Sequence, residues 1–239
     1  MDSEDLLPSQ RRVRQIFTSI AGRYDVVNRL LSGGTDVFWR QRLVREICSY
    51  HPQSVVDLAT GSGDVALALR RDLGEDVAIT GLDFCEAMLD TARKKQAAAL
   101  GSGVNFCLGD CCNLPFANGT VDVLSIAFGL RNLEDRERGL REMRRVLRPG
   151  GALFILEFSK PFRWVRPFHS FYLRVIVPRL GGWITGNRDA YAYLSGSIEA
   201  FPDRATLIEE IRAAGFNRIE AFPLSLGVVA LYRAGIDYE

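Results

Sequence analysis

Apolar residues in the first fifty positions recur every three or four places. Val13, Ile16, Phe17, Ile20 and Tyr24 share one helical face, which Gly22 and the Ser32–Gly33–Gly34 run interrupt. A second helix is predicted from Asp36, read as its N-cap, with Phe38, Trp39, Leu43, Val44 and Ile47 on its apolar side. From Gln53 the rhythm changes. Short β-branched runs at 54–58, 77–82, 104–108, 121–128 and 152–158 alternate with helical patterns at 64–73, 86–100 and 135–147. Strands with apolar centres, separated by helices, predict a parallel sheet covered on both faces. The end differs. A helix over 205–214 closes at Gly215, and strands over 216–222 and 226–232 follow with only Pro223–Leu224–Ser225 between them. So short a link demands an antiparallel pair.

The chain has 239 residues, enough for one α/β domain with a sizeable core. We divide it into an N-terminal helical cover (1–50), a core (51–159), an insert (160–203) and a final helix with hairpin (204–239). Thirty Lys+Arg against 29 Asp+Glu leave no basic excess, which argues against a nucleic-acid partner. The opening MDSEDLLPSQRR is too polar and acidic for a secretory signal, and no apolar run approaches a membrane span. The five cysteines are odd in number and form no CxxC pair, and Cys111–Cys112 matches no zinc spacing. Free thiols in a reducing cytoplasm, with no metal, are the expectation.

The first strand runs into Asp57-Leu-Ala-Thr-Gly-Ser-Gly-Asp64. Gly61 and Gly63 between a strand and a helix allow a tight turn and let a ligand approach bare backbone. Asp83, twenty residues after Gly63, ends the second strand, where a carboxylate can accept both hydroxyls of a ribose. Two cofactors fit these features: a dinucleotide, through Gly61-x-Gly63-x-x-Ala66, and S-adenosylmethionine. Asp57 suits the ammonium of a methionine moiety and repels a pyrophosphate. Asp110, ending the third strand, is placed to accept from an adenine amino group.

Longer motifs go further. FTSIAGRYDVVNRLLSGG (17–34), VVDLATGSGD (55–64), GDCCNLPF (109–116), IAFGLRNLED (126–135), VLRPGGALFILEFSKP (146–161) and YLSGSIEAFPD (193–203) together resemble the ubiquinone/menaquinone biosynthesis C-methyltransferases. The resemblance runs from about Val13 to Arg233, and its specific parts are Phe128–Asn132 and Glu157–Pro161. It implies a class I S-adenosylmethionine-dependent methyltransferase fold. It also implies methyl transfer from that cofactor to a ring carbon of a polyprenylated hydroquinone, and often a homodimer. Carried over by position, Ser62, Asp83 with its neighbour Phe84, Asp110 and Cys111 match the cofactor contacts. Ser62 stands where threonine is usual, and Cys111 replaces a small or amide-bearing residue.

Within that frame Arg131 and Asn132, at the end of the fourth strand, are expected to face the cofactor's methyl. A neutral aromatic carbon is a poor nucleophile until a neighbouring hydroxyl loses its proton. Lowering a phenolic pKa of about 10 by 2–3 units takes roughly 3–4 kcal/mol of oxyanion stabilisation. A partly buried guanidinium suits that task, since it stays charged at any working pH. Tyr24 is expected to position a water, with Asp110 near Arg131, or His169, as alternative proton acceptors. The plainer alternative pairs Arg131 with Glu134 or Asp135. His51 is expected at the wrong end of the sheet.

Between 160 and 188 lie Lys160, Arg163, Arg166, Arg174, Arg179 and Arg188, no acid, and many aromatics. That mixture predicts either a segment touching an anionic membrane surface, where the polyprenyl tail resides, or a helical lid with a solvated basic back. Two rival functions stay open: methylation of another hydrophobic phenol, and a catalytically silent cofactor-binding subunit.

Overall fold

A computed structural model of the protein describes residues 8–99 and 103–237. Seven strands form one sheet: β1 (Ser54–Leu58), β2 (Ala78–Asp83), β3 (Val104–Leu108), β4 (Val121–Ala127), β5 (Leu147–Phe158), β6 (Arg218–Leu224) and β7 (Val229–Gly235). Their order is β3-β2-β1-β4-β5-β7-β6. The first five run parallel, and β7 lies antiparallel between β5 and β6. The predicted terminal hairpin is therefore present, three residues later in β7 than expected. The chain first bends through a 3-10 turn at Ser225–Gly227.

Helices α1 (Pro8–Ile20), α2 (Tyr24–Leu31) and α3 (Thr35–Cys48) precede the sheet. The cover is three helices, because the chain breaks at Ala21–Arg23, where Gly22 is expected to interrupt the first. Asp36 is not the cap of α3. Gly34 occupies that position in left-handed conformation, and Asp36 is buried within the first turn, paired with Arg40.

The core helices are α4 (Asp64–Leu73), α5 (Glu86–Ala98) and α6 (Arg136–Val146); the end expected at Leu100 lies outside the described residues, as do the first seven of the cover. Asp135 caps α6 by accepting from the Arg138 backbone N–H at 2.8 Å. The insert adds α7 (Arg166–Phe171), a π-helical stretch at Tyr172–Ile176, α8 (Val177–Thr185) and α9 (Arg188–Ala200), before α10 (Arg204–Ala213).

Two apolar layers sandwich the sheet. Leu43, Ile47, Leu69 and Leu89 from α3, α4 and α5 pack on one face, against Val55, Ile79 and Phe154. Leu140, Met143, Leu207 and Ile211 from α6 and α10 pack on the other. Burying each such side chain contributes about 1.5–3 kcal/mol. A third cluster stands apart. Ile20 and Val27 of the cover pack with Leu173, Val177 and Tyr191 of the insert. Two segments over 140 positions apart in sequence thus close together over the carboxyl edge of the strands.

Candidate active site

The carboxyl edge bends sharply after β4. Phe128 holds φ 57°, a left-handed conformation that is strained for a bulky residue. Gly129 follows because nothing larger fits: a Cβ there would stand 2.5 Å from the Ala59 Cβ. The turn swings Leu130–Asn132 into a 3-10 helix and sets the Phe128 ring across the edge, with a cavity on either side.

On the first side is a hollow of about 70 Å³. Gly61, Asp83, Phe84, Met88, Gly109, Asp110 and Cys111 line its floor, and Asn132 its side. Val13 and Phe17 of α1 contribute the cover's wall. Asp83 is buried. One of its carboxylate oxygens accepts the Gly61 N–H at 2.8 Å and the other the Cys85 N–H at 2.9 Å. Burial pushes its pKa up to about 6, against the pull of those backbone donors. Asp110 accepts from the Cys112 N–H. Burial pushes the Cys111 thiol upward, so it is a neutral wall.

The other loop residues serve from behind. Asp57 is buried, accepting from the Thr60 hydroxyl at 2.6 Å and from the Ser125 hydroxyl at 2.7 Å. Ser125 reaches it because the parallel register sets the two residues side by side. Burial raises Asp57 to about 6 as well. Gly63, at φ 81°, faces α5, where a Cβ would stand 2.9 Å from that of Ala92. Ser62 donates to Asp25 of α2 at 2.6 Å and accepts from Lys95 Nζ at 3.0 Å. Lys95 also pairs with Asp25 and Asp64. The glycine loop is thereby tied to the cover.

On the second side of Phe128 lies a cavity of about 270 Å³, walled mostly by apolar and aromatic residues from the cover and the insert. Trp39, Phe128, Phe158, Tyr172 and Leu173 are among them, with Arg40, Arg131 and His169 as its basic members and Asp36 as an acid. Tyr24 lines both cavities. The Arg131 side chain is 4% exposed, and Glu157, wholly buried, is its ion partner at 2.8 Å. Nη1 serves both Glu157 and the Phe128 carbonyl, while Nε is buried without a hydrogen-bond partner. Burial lowers the His169 pKa, with Glu199 opposing.

The expected constellation is thus split. Asn132, Asp83, Phe84, Asp110, Cys111 and Gly61 share the first hollow, Arg131 lies in the second cavity, and Tyr24 bridges. Asp110 is not beside Arg131 as expected: Phe128 stands between the spaces they line. The carboxylate that holds Arg131 is Glu157, brought up by β5, rather than the adjacent Glu134 or Asp135. Glu157, Lys95, Asp25, Ser125 and Arg40 had no assigned role. A local signal existed only for Glu157, in the Glu157–Pro161 motif, and for Asp25, in the 17–34 motif. His51 is exposed before β1, at the amino edge.

Comparison with known proteins agrees with this geometry. Solved structures of similar fold include the 4+2 cyclase SpnF (TM-score 0.67, 18% identity, 97% of both chains) and an S-adenosylmethionine-dependent methyltransferase from Aquifex aeolicus (0.60, 19%, 81% of this chain and 89% of that one). The first is titled a cyclase, so fold by itself leaves the chemistry open. Among curated proteins, demethylmenaquinone methyltransferase of Thermus thermophilus is 44% identical over 219 residues, 91% of this chain and 98% of that one. The Rubrivivax gelatinosus ubiquinone/menaquinone biosynthesis C-methyltransferase is 37% identical over 230 residues, 96% and 89% of the two chains. Residues 6–235 match the ubiE/COQ5 methyltransferase family, and the chain belongs to it.

Proposed function

We propose that the protein methylates a ring carbon of a polyprenylated hydroquinone, demethylmenaquinol or the equivalent ubiquinol precursor, with S-adenosylmethionine as donor. Family membership supports the reaction class, and the residues of the first hollow fit the donor. Asp83, with each oxygen still able to accept, would hold the ribose. Phe84 and Met88 would flank the adenine, with Asp110 at its rim, and the Gly61 backbone leaves room for the amino-acid end. When bound, the cofactor supplies an electrophilic methyl. Val13 and Phe17 of α1 close one side of this hollow of about 70 Å³.

The observation that carries the substrate reading is the Arg131 guanidinium, a buried cation held by Glu157 and lining the larger cavity. In an apolar, aromatic-walled cavity beside the cofactor hollow, a phenolate oxygen is the acceptor that fits. Glu157 holds the fork in place, and the surrounding rings exclude water, so the charge acts at low dielectric. Tyr24, present in both cavities, orients the water that carries the proton away. His169, kept neutral by burial, is its acceptor. Supplying reduced short-chain naphthoquinol and benzoquinol with labelled cofactor tests the reading. Label should enter one ring as a C-methyl, and cofactor binding without transfer to either would reject it.

The insert supports an anionic membrane surface as a transient partner. Trp164, Phe168, Phe171 and Trp183 are exposed, and so are all six basic residues between 160 and 188. Among the described residues no helix is long and apolar enough to cross a membrane. The protein, working from the cytoplasm, docks by this face, where the substrate's tail can stay in lipid. Binding to anionic vesicles should weaken as salt rises. Indifference to such vesicles at low salt would remove the membrane from the account. Sedimentation without lipid separates this from a homodimer formed through the same face.

A further inference from the structure

Arg131 is not the only guanidinium in the larger cavity. Arg40 on α3 lines it too, with a side chain 14% exposed. Its Nη1 pairs with the buried Asp36, which also accepts from the Ser32 hydroxyl at 2.8 Å. Among the described residues Nε and Nη2 of Arg40 make no hydrogen bond. The guanidinium carbon lies 5.6 Å from the centre of the Phe128 ring. Arg131 repeats the arrangement: one nitrogen on a buried carboxylate, and its carbon 5.2 Å from the centre of the Phe158 ring. The two rings lie 5.0 Å apart. One aromatic pair therefore carries two cations, each balanced by its own carboxylate and each with donors to spare.

A helix needs no buried Arg40–Asp36 pair for its stability. The same i,i+4 pair on the surface would contribute its few tenths of a kcal/mol without desolvating two charges. Burial alone would lower the Arg40 pKa, yet Tyr24, Asp64 and Asp36 together raise it, so the charge persists in the cavity. A monophenol would leave it unused. A 1,4-dihydroxyarene has a second oxygen, opposite the first.

We propose that Arg40 binds the second oxygen of the substrate ring, para to the one Arg131 faces, and so selects a 1,4-dihydroxyarene over a monophenol. This deepens the hydroquinone reading and rests on it. Holding both oxygens fixes the ring's long axis, and with it which carbon is presented to the methyl.

The test pairs a side chain with a substrate group. A reduced short-chain naphthoquinol is compared with the matching 1-naphthol, which lacks the distal hydroxyl. Binding is followed by tryptophan fluorescence, since Trp39 lines the cavity, and methyl transfer by label. The wild type should favour the diol by about 10–10² in kcat/KM and in affinity, the range for one hydrogen bond to a charged group. In Arg40→Met that preference should shrink to about threefold or less, with cofactor affinity unchanged. Arg40→Met with Asp36→Asn avoids a stranded carboxylate should the single variant fold poorly, and it should behave the same way. Arg131→Ala should lose transfer to both compounds while still preferring the diol in binding. Equal treatment of the two compounds by the wild type, or an undiminished preference in the Arg40 variants, would overturn the assignment and leave the hydroquinone reading standing. No binding and no transfer with either compound would overturn both.

Discussion

The two cavities share Phe128 and Tyr24 as a wall, yet they are built in different ways. The hollow proposed for the cofactor is floored by residues at the ends of consecutive strands: Gly61 after β1, Asp83 on β2, Asp110 after β3. Its polar groups are pinned by backbone donors of the same loops. The larger cavity, proposed for the substrate, is assembled from segments far apart in the chain. Trp39 and Arg40 come from α3, Arg131 from the turn after β4, Phe158 from β5, and His169 and Leu173 from the insert. The first is a property of the sheet, the second of what is draped over it.

The sharpest way to break that division is Arg131→Ala. We expect turnover to fall by about 10²–10³, the loss typical of removing one oxyanion donor, with cofactor affinity kept within a few-fold. Measured by single-turnover transfer and calorimetry, an equal fall in cofactor affinity would show that the cavities are not separate. Asp83→Asn is the converse. Cofactor dissociation constants should rise by about 10–10², from weakened hydrogen bonds to the ribose, with turnover at saturating cofactor nearly preserved.

A smaller effect follows from pH. Asp83 sits near 6, above its ordinary value of about 4. On the proposed reading its carboxylate accepts from the ribose, so affinity for S-adenosylhomocysteine should weaken about fivefold between pH 6 and 5. The stability of the cofactor-free protein should move oppositely. A raised native pKa, shared by Asp57, adds stability at acid pH that is lost as pH climbs from about 4 through 6. Thermal melts and titrations over pH 4–7 read both. A flat affinity profile would mean that Asp83 does not reach the ribose.

The smallest expected effect is Trp183→Ala. This side chain is 85% exposed. Its loss should weaken binding to anionic vesicles a few-fold while leaving the melting temperature and transfer to a short-chain quinol unchanged. A change in either of the latter would place Trp183 within the cavity's support rather than at a membrane face.

Much of the molecule was legible in the residues. Strand–helix alternation and the short Pro223–Ser225 link announced the sheet and its antiparallel end, because burial on two faces and a turn of a few residues leave few alternatives. Residues expected together at the strand ends do line one hollow, since strand ends and the loops after them lie close in sequence. What escaped was pairing across distance. Asp57 is held by Ser125, 68 positions away and joined to it only by strand register. Ser62 likewise meets Asp25 and Lys95 through the packing of three helices. The Asp36 cap failed for a local reason: two glycines free to take positive φ let the helix begin earlier.

By itself the sequence determined the sheet, its order of construction, the carboxylate waiting at the end of β2 and the cation at the end of β4. These rest on periodicity, turn chemistry and short loops, all local. Only the tertiary structure decided that Phe128 would divide the edge into two rooms, that Glu157 would hold Arg131, and that Arg40 would join it from the cover. Those choices depend on segments distant in the chain closing over the sheet edge, and a buried charge finds its partner only once the surrounding elements have packed.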